Sequence, residues 1–567
     1  MKNYAYEKIS KIGLFIWCLG TIFYVYEMIV KSSISSLSLV LQGQYSLTAT
    51  ELSLISSMFY WCYVVMQIPA GIIIDRIGVR RSLVIASLCC GVGTILFALS
   101  DSFSTFLLTR AVMGFGGAFG FVCGLKLAAN WLPPRFFPLF AGLVQFMGYM
   151  GGAFTGAPLS SIVANNNWVY VFLTIGVIGV CISVLTFICI RGKAPYANDE
   201  SEHPTFSDVI GQLFRLIKKP QILVNAIFCL CVGGVSFALT DLWGKMYLIV
   251  VYGLPEDSAA LAANTMVFIG IAITSPFWGA LASVMQSSKR LLIFGSLMGI
   301  ISTTAMLYLS VPNMTLQLII LCLCGFIIGA SQASHLLNFD LVKKIVSGKY
   351  VATAIALLNM FVIAGGAMTQ VVSGYVIEKV QASDSYKTQS INQAWVAINN
   401  VLDEEELKDS NQLHLISKNN QMHQIKLVYK GEDFTLYVRQ HNNTGNAEIT
   451  LAHLSNEEMS KGSQLLKYLT TNLRYHVFDS LSLKPMKNRY EHMVVKGQSI
   501  SKVSHKWLKP KLTKVDGQSY YKSLIFKSPS AEHYSYRLGL LILPILFVIA
   551  FLMALLTRDR KPKDIRF

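Results

Sequence analysis

The sequence predicts an all-α membrane protein: twelve transmembrane helices in two halves of six, with a soluble α+β insert between helices 11 and 12. Three observations point there. Of 567 residues, 53% are hydrophobic and 14% charged, against roughly 25% charged in an ordinary soluble domain, and mean hydropathy is +0.49. A hydrocarbon core of roughly 30 Å needs about 18 or more apolar residues to cross it. Such runs fall at 12–40, 51–73, 82–100, 104–128, 138–160, 168–190, 221–250, 260–283, 291–310, 315–339, 350–377 and 537–556. The stretch 379–535 holds no such run, and removing its 157 residues leaves 410 for the membrane body.

The chain therefore divides into a six-helix half (1–190), a polar central loop (191–220), helices 7–11 of the second half (221–378), the insert (379–535), and helix 12 with a tail (536–567). The first apolar run is long, contains Glu27 and Lys31 and lacks a small-residue cleavage pattern, so it is expected to stay as a helix and not to be a signal peptide. With the N-terminus inside, the cytoplasmic segments hold 22 Lys and Arg and the five short outer loops none. That asymmetry places both termini in the cytoplasm and the insert outside, in the inner membrane if the cell is bacterial. The formal charge of +17 would suggest nucleic acid on a soluble face; here the basic residues mark the inner membrane rim, so no nucleic-acid partner is expected. All eleven cysteines fall in apolar runs, and the Cys229/Cys231 and Cys322/Cys324 pairs lack metal-ligand spacing. Neither a metal nor a cofactor is expected. No nucleophile-base pair or phosphate loop is present, which argues against an enzyme.

After the second span comes Gly71-Ile-Ile-Ile-Asp75-Arg76-Ile-Gly78-Val-Arg80-Arg81. Glycine lets helix backbones approach, and an acid beside clustered arginines can form a charge lock at the cytoplasmic rim. The segment resembles the loop 2–3 signature of the major facilitator superfamily, G-x-x-x-D-R-x-G-x-R-R. In the second half, Gly279 to Arg290 keeps the glycine and the basic end but has Ser283 at the acidic position, so a lock there is not expected. The fourth span holds Arg110-Ala-Val-Met-Gly114-Phe-Gly116-Gly117-Ala118, similar to the superfamily's R-x-x-x-G-x-G-x-A. An intramembrane arginine is costly unless it faces water or a partner, so Arg110 is either a functional group or one that snorkels to the outer interface near Asp101. Lys126, near the inner end of the same helix, reads as an interface anchor.

Helix 1 carries Glu27 and Lys31, and helix 7, its counterpart, carries Asp241 and Lys245. Four residues at 1.5 Å each put acid and lysine on one face about 6 Å apart, in the favourable order. Both pairs lie in the outer half of their spans. In the superfamily helices 1 and 7 line the central cavity, so the resemblance implies two acid-lysine pairs facing across a substrate path. A carboxylate withheld from water in a bundle is a chemically reasonable proton carrier; the alternative is that each lysine neutralises its own acid and snorkels outward. His335 and Asp340 offer either an inner relay or a satisfied interface pair, and Gln145, Tyr149, Gln332, Asn359 and Gln370 either line a cavity or join helices.

The helix-five glycines Gly148, Gly151, Gly152 and Gly156 are out of frame with the antiporter motif of the superfamily, which favours uptake over efflux. The stretch from Tyr24 to Ser36, with Gln67-Ile-Pro69-Ala-Gly71, resembles bacterial members related to organic-anion symporters and phagosomal nutrient transporters. Together these imply a carrier importing a small polar or anionic solute, with a proton as coupling ion, Glu27 or Asp241 as its carrier, and Arg110, Lys31 or Lys245 attracting substrate charge. An exporter, or a non-transporting receptor that uses the insert, is the alternative.

The insert holds 21 Lys and Arg against 15 Asp and Glu, and eight of the ten histidines, with no HxH or HxxxH spacing. Residues 390–408 and 455–475 have helical patterns, while 424–430, 434–439 and 447–451 alternate in strand fashion and Asp516-Gly517 signals a hairpin. Its lysine-rich end, Lys484 to Lys527 with Trp507 and Tyr520, is either a solvated face or a contact for anionic membrane lipid. Nothing in its residues names a partner.

Overall fold

The computed structural model describes residues 9–45, 47–191, 194–196, 206–285, 287–346, 351–381, 416–417, 422–429, 432–440, 447–453, 513–515, 518–520, 524–526 and 529–558. Among them eleven helical stretches are long and apolar enough to cross a membrane, from Lys11–Gln42 to His533–Leu556. The expected fifth span falls on two helices, α7 (Phe137–Phe154) and α8 (Ala157–Asn165), parted at Thr155 and Gly156, and is not one of the eleven. Contact clustering separates one unit of Met1–Ser38, Ser53–Ser373 and Leu540–Phe567 from a second of Leu39–Leu52 with Gly374–Gly539.

Local chemistry sets many of the helix starts. Ser102 caps α5 (Phe103–Gly117) in a reciprocal capping box with Thr105, and Asn167 and Asn313 accept backbone N–H bonds at the starts of α9 (Trp168–Cys189) and α16 (Met314–Ala333). The turn between α3 (Ala49–Ile77) and α4 (Val79–Ala98) needs Gly78, whose φ of 85° disfavours any side chain. Polarity is arranged inside out, as lipid demands. On α5, Leu108 is 67% exposed while Arg110, two positions on, is 1% exposed.

Several spans are interrupted part-way. Helix 1 breaks at Ser33, between α1 (Lys11–Ser32) and α2 (Ile34–Tyr45). Helix 4 breaks at Ala118 and Phe119, between α5 and α6 (Gly120–Trp131). In the second half, helix 7 contains a π turn, Leu239–Trp243, between α11 (Pro220–Ala238) and α12 (Gly244–Tyr252). A second π turn, Leu261–Thr265, joins α13 (Glu256–Ala260) to α14 (Met266–Met285), and helix 10 breaks at Ser334 and His335 before α17 (Leu336–Ile345). The breaks in helices 1 and 7, and in 4 and 10, fall in counterparts of a six-plus-six repeat, whereas those in helices 5 and 8 have no counterpart in α18 or α3; such discontinuities are tolerated at membrane depth where protein surrounds them.

Helices approach closely where glycine removes the side chain. On α18 (Val351–Gln381), a Cβ at Gly365 would fall 2.8 Å from the Leu230 carbonyl carbon and 3.0 Å from its Cα, and in return a Cβ at Gly233 would fall 2.8 Å from Val362 Cγ1. At Gly71 the expected close approach is not found: its missing Cβ has open space around it.

In the second unit, the strands β1 (Ile416–Ser417), β2 (Met422–Tyr429), β3 (Glu432–Gln440) and β4 (Ala447–His453) pair antiparallel in sequence order. The strands β5 (Thr513–Val515) and β6 (Gln518–Tyr520) pair antiparallel in the register Val515↔Gln518, and the expected Asp516-Gly517 turn lies outside the described residues. β6 and β7 (Leu524–Phe526) both pair with β4. The helices expected at 390–408 and 455–475 lie outside the described residues. Two further helices, α19 (Pro529–Leu540) and α20 (Ile542–Leu556), end the described chain.

Gly365→Leu is expected to destabilise the bundle by about 1–3 kcal/mol through overpacking, read as a lower melting temperature in detergent; an unchanged melting temperature would show that the helices can part there without cost.

Candidate functional site

Six charged side chains are buried among the described residues: Glu27 (1% exposed), Lys31 (4%), Arg110 (1%), Asp241 (0%) and Lys245 (0%), all singled out from the sequence, and Glu256 (8%). Neither lysine reaches an outer surface, so outward snorkelling is not how this chain accommodates them. A buried charge is tolerable only with a partner, and each group meets that demand differently.

Arg110 spends its guanidinium on helix 1. Nη1 donates to the Val30 carbonyl at 2.9 Å, Nη2 to those of Lys31 at 3.0 Å and Ser56 at 3.4 Å, and the cation lies 4.9 Å from the Phe59 ring centre. The last carbonyls of a helix lack intrahelical donors and carry partial negative charge. Arg110 thus caps α1 where it breaks at Ser33. The expectation that it snorkels outward is corrected: it is 1% exposed, and its bonds go to backbone carbonyls of helices 1 and 2 and to Met113 Sδ at 3.8 Å, beside the Phe59 ring.

The expected pairing of Asp241 with Lys245 is corrected as well. Asp241 lies within the π turn, whose i→i+5 bonding shifts the phase that would set residues four apart on one face. Tyr60 of α3 donates its hydroxyl to Asp241 Oδ2, and Thr240 Oγ1 bonds Oδ1 at 2.7 Å. Lys245 forms an ion pair with Glu256 Oε1 at 2.9 Å and donates to the Ser36 carbonyl at 3.1 Å.

Glu27 and Lys31 are different. Neither carboxylate oxygen of Glu27 has a hydrogen-bond partner among the described residues, and no ion pair joins it to Lys31. The Lys31 ammonium lies 4.5 Å from the centre of the Phe237 ring, a helix 7 side chain. Lys31 is within electrostatic range of both Glu27 and Asp241, and the two carboxylates of each other. The phenols of Tyr24 and Tyr63 also lie in range of Glu27. Space for the carboxylate comes from helix 4: a Cβ on Gly117 would fall 3.3 Å from Glu27 Oε1, and one on Gly120 3.6 Å from Oε2. The helix-four glycines therefore do more than join helices; two of them leave room for an acid on helix 1.

Several bonds cross between residues 1–190 and the second half. Tyr60 meets Asp241, Lys245 meets Ser36, and Thr265 Oγ1 both donates to the Ala153 carbonyl and accepts from the Ala157 N–H, each at 3.1 Å. Ser36 Oγ donates to the Thr155 carbonyl at 2.6 Å, tying helix 1 to helix 5 nearby.

At the other end of the bundle, the rim motif is held by an unexpected partner. Lys126 of α6, read from sequence as an interface anchor, forms an ion pair with Asp75, with side chains 42% and 30% exposed. Arg80 bonds the Phe187 carbonyl at 2.6 Å and stacks over that ring at 5.0 Å, while Arg76, Gly78 and Arg81 are exposed. His335 and Asp340 are engaged separately, the imidazole Nδ1 with the Gln332 carbonyl at 2.7 Å and the carboxylate with Lys344 at 2.6 Å. Gln145 bonds Tyr149, and Gln370 bonds the Phe237 carbonyl, each at 3.0 Å.

Tyr60 and Glu256 were not singled out from the sequence. Tyr60 is one aromatic in an apolar run, and only its contact across the halves distinguishes it. Glu256 follows Pro255 in the first turn of α13, a helix-start signal that carries no hint of a lysine partner.

Comparison with known proteins adds the family. Residues 16–370 match the Major Facilitator Superfamily. The chain is 22% identical over 382 residues to the probable sulfoacetate transporter SauU of Cupriavidus necator, covering 64% of this chain and 86% of that protein. It is 25% identical over 265 residues to the hexuronate transporter of Bacillus subtilis, covering 46% of this chain and 62% of that one. Among solved structures, a bacterial homolog of the human lysosomal transporter Spinster superposes with a TM-score of 0.56 at 18% identity, covering 70% of this chain and 90% of its own. The breaks in helices 1, 4, 7 and 10, the buried charges they surround and a family match over more than half of the residues agree: the chain belongs to the Major Facilitator Superfamily, whose members are transporters and not enzymes.

Proposed function

We propose that this transporter imports a small polar or anionic solute by alternating access between its two halves, with a proton as the coupling ion. The main support is the cluster of Glu27, Lys31 and Asp241, buried where helices 1 and 7 meet. No lipid-facing structure benefits from holding three charges there; a carrier site does. The similar transporters of sulfoacetate and hexuronate favour a solute with an anionic group.

Asp241 is the better placed proton carrier. Its bond from Tyr60 joins the halves, so a change in its protonation alters a contact that must remake when the halves rock. Lys245, neutralised by Glu256 and bonded to Ser36, acts in this scheme as a closing contact and not as a substrate ligand. The cross-half bonds lie on the side of Asp241 away from Asp75, the side that the lysine and arginine distribution makes external. The conformer described is thus closed outward. Asp75, Lys126 and the arginines 76, 80 and 81 form the cytoplasmic gate, with Gly78 shaping the turn and Gly71 one helical turn before Asp75 on the same helix.

In the full arrangement α7 and α8 supply the twelfth span, both termini are cytoplasmic, and 379–535 is an external α+β domain whose strands are completed by the helical patterns at 390–408 and 455–475. A bacterial inner membrane fits this orientation.

Asp241→Asn in proteoliposomes is expected to abolish accumulation driven by an imposed pH gradient while leaving solute counterflow, with Tyr60→Phe giving a partial version. Undiminished gradient-driven accumulation would remove Asp241 from coupling. Asp75→Asn should change stability by less than about 1 kcal/mol, as expected for an exposed pair, yet slow exchange without altering substrate choice; an altered substrate profile at normal turnover would count against the gate. A chain lacking residues 382–528 is expected to retain flux, and its loss alongside ligand binding by the insert would favour a receptor.

A further inference from the structure

The π turn in helix 7 deprives one backbone carbonyl of the partner that a regular helix would give it. In an α-helix the Gly244 N–H would bond the Thr240 carbonyl four residues back; here it reaches Leu239 instead. Lipid has no donor to make good that loss, so the protein must supply one. Asn264 does so from the second π turn: its side-chain NH2 group donates to the Thr240 carbonyl, and the residue is 0% exposed. Asn264 Oδ1 has no hydrogen-bond partner among the described residues, and a Cβ on Gly156 of helix 5 would fall 2.7 Å from it. The donor end of the amide is thus the end in use.

Helix 8 holds the same turn at both ends. Glu256 pairs with Lys245 at 2.9 Å, so contacts at residues 240 and 245 bracket Leu239–Trp243. Gly244 allows the approach between them, because a Cβ there would fall 2.9 Å from that of Ala263. Thr240 is also the residue whose hydroxyl bonds Asp241 Oδ1 at 2.7 Å, while Tyr60 holds the other carboxylate oxygen. Fixing the Thr240 backbone therefore fixes one of the two supports of the acid.

We infer that Asn264 is a positioning residue for Asp241: by supplying the donor that the π turn lacks, it keeps helix 7 in the register that presents the carboxylate to Tyr60. This rests on the coupling role proposed above for Asp241 and names what holds that acid in place. Closing the π turn into regular helix would satisfy the Thr240 carbonyl from Gly244 and turn the residues on one side of it by about 100° relative to the other. Asp241, inside the turn, would then lose the phase that brings it to the first half. Asparagine suits this task chemically. Leucine is close to it in volume but leaves the carbonyl unpaired, and an ionised aspartate would set oxygen against oxygen. The neighbouring Thr265 carries the link onward, since its Oγ1 bonds Ala153 and Ala157 at the helix 5 break. Two consecutive side chains of one π turn thus connect the Asp241 register to the opposite half.

The test uses the full chain in lipid nanodiscs. Infrared difference spectra between acid and alkaline pH report the carbonyl band of protonated carboxyl groups, and the part missing from Asp241→Asn belongs to Asp241. In Asn264→Leu that band is expected at higher frequency, because a carboxyl that loses the Tyr60 bond has a stiffer C=O, and Tyr60→Phe is expected to move it in the same sense. Gly91→Ala, whose Cβ would meet the Val180 backbone nitrogen at 2.7 Å and crowd helices 3 and 6 of the first half, should leave the band in place. An Asp241 band unmoved in Asn264→Leu, or moved as far in Gly91→Ala, would overturn the inference. A second measurement stands even if Asn264→Leu fails to fold. With isotope-labelled asparagine nitrogen and threonine carbonyl carbon, solid-state NMR of the native sequence is expected to show a side-chain amide in contact with a threonine carbonyl. That contact should vanish in Thr240→Val, which keeps the carbonyl but not the label; its absence from the native sequence would overturn the inference as well. The two readings fail differently: an Asp241 that shows no band at any pH sinks the coupling role and the inference with it, whereas a band that is present but indifferent to Asn264→Leu sinks the inference alone.

Discussion

The cost of placing a charge where lipid surrounds the protein organises this molecule. An isolated ion in such a place is penalised by several kcal/mol even after relaxation, so every buried charge must be offset by a neighbour held in place by packing. The bundle supplies those neighbours from elements distant in sequence: Arg110 on helix 4 finds carbonyls of helices 1 and 2, Asp241 on helix 7 finds a phenol from helix 2, and Lys245 finds an acid at the start of helix 8. At Glu27 and Lys31 the offset is only their mutual attraction and the Phe237 ring, with no hydrogen bond to either Glu27 oxygen among the described residues.

The helix interruptions follow from the same constraint. A continuous α-helix satisfies all its inner backbone groups and has none to offer; a break or a π turn releases carbonyls and N–H groups. At Ser33 the released carbonyls of Val30 and Lys31 become ligands for Arg110, so an arginine that would be unfavourable in a regular bundle is favourable here, and the break is fixed by the arginine in turn. The π turn at Leu239–Trp243 similarly changes which neighbours Asp241 meets. Charge and backbone irregularity support one another, and both sit where a path between two halves would need polar surface.

At the two ends of the bundle the interactions differ in kind. Around Ser36, Ala153, Lys245 and Thr265 the halves are joined by hydrogen bonds to backbone carbonyls, and the lysine among them is neutralised by Glu256 of its own half. At the rim the Asp75 and Lys126 pair is partly solvated, so water screens it. Contacts to the backbone are specific in geometry and make and break as a set, whereas a solvated pair adjusts gradually. Such a contrast suits a protein that must alternate which end is closed.

The sequence by itself determined the membrane class, most of the spans, the strand alternation that falls on β2 to β4, and which five charges lie within apolar runs, because hydropathy, period and the rarity of charge in apolar runs are local properties. It also located the rim motif at Gly71 to Arg81. It did not determine who meets whom. The spacing of Asp241 and Lys245 assumed a regular helix, and the π turn changed the phase; Arg110 read as either a functional group or one that snorkels outward, because the helix 1 break that gives it carbonyls is not written in its own span; Lys126 and Asp75 are 51 positions apart. Partners across the bundle are set by how helices cross, and only the tertiary structure fixes that. For the same reason the contrast between Asp241, which accepts two hydrogen bonds, and Glu27, which accepts none among the described residues, became visible only once every neighbour was in place.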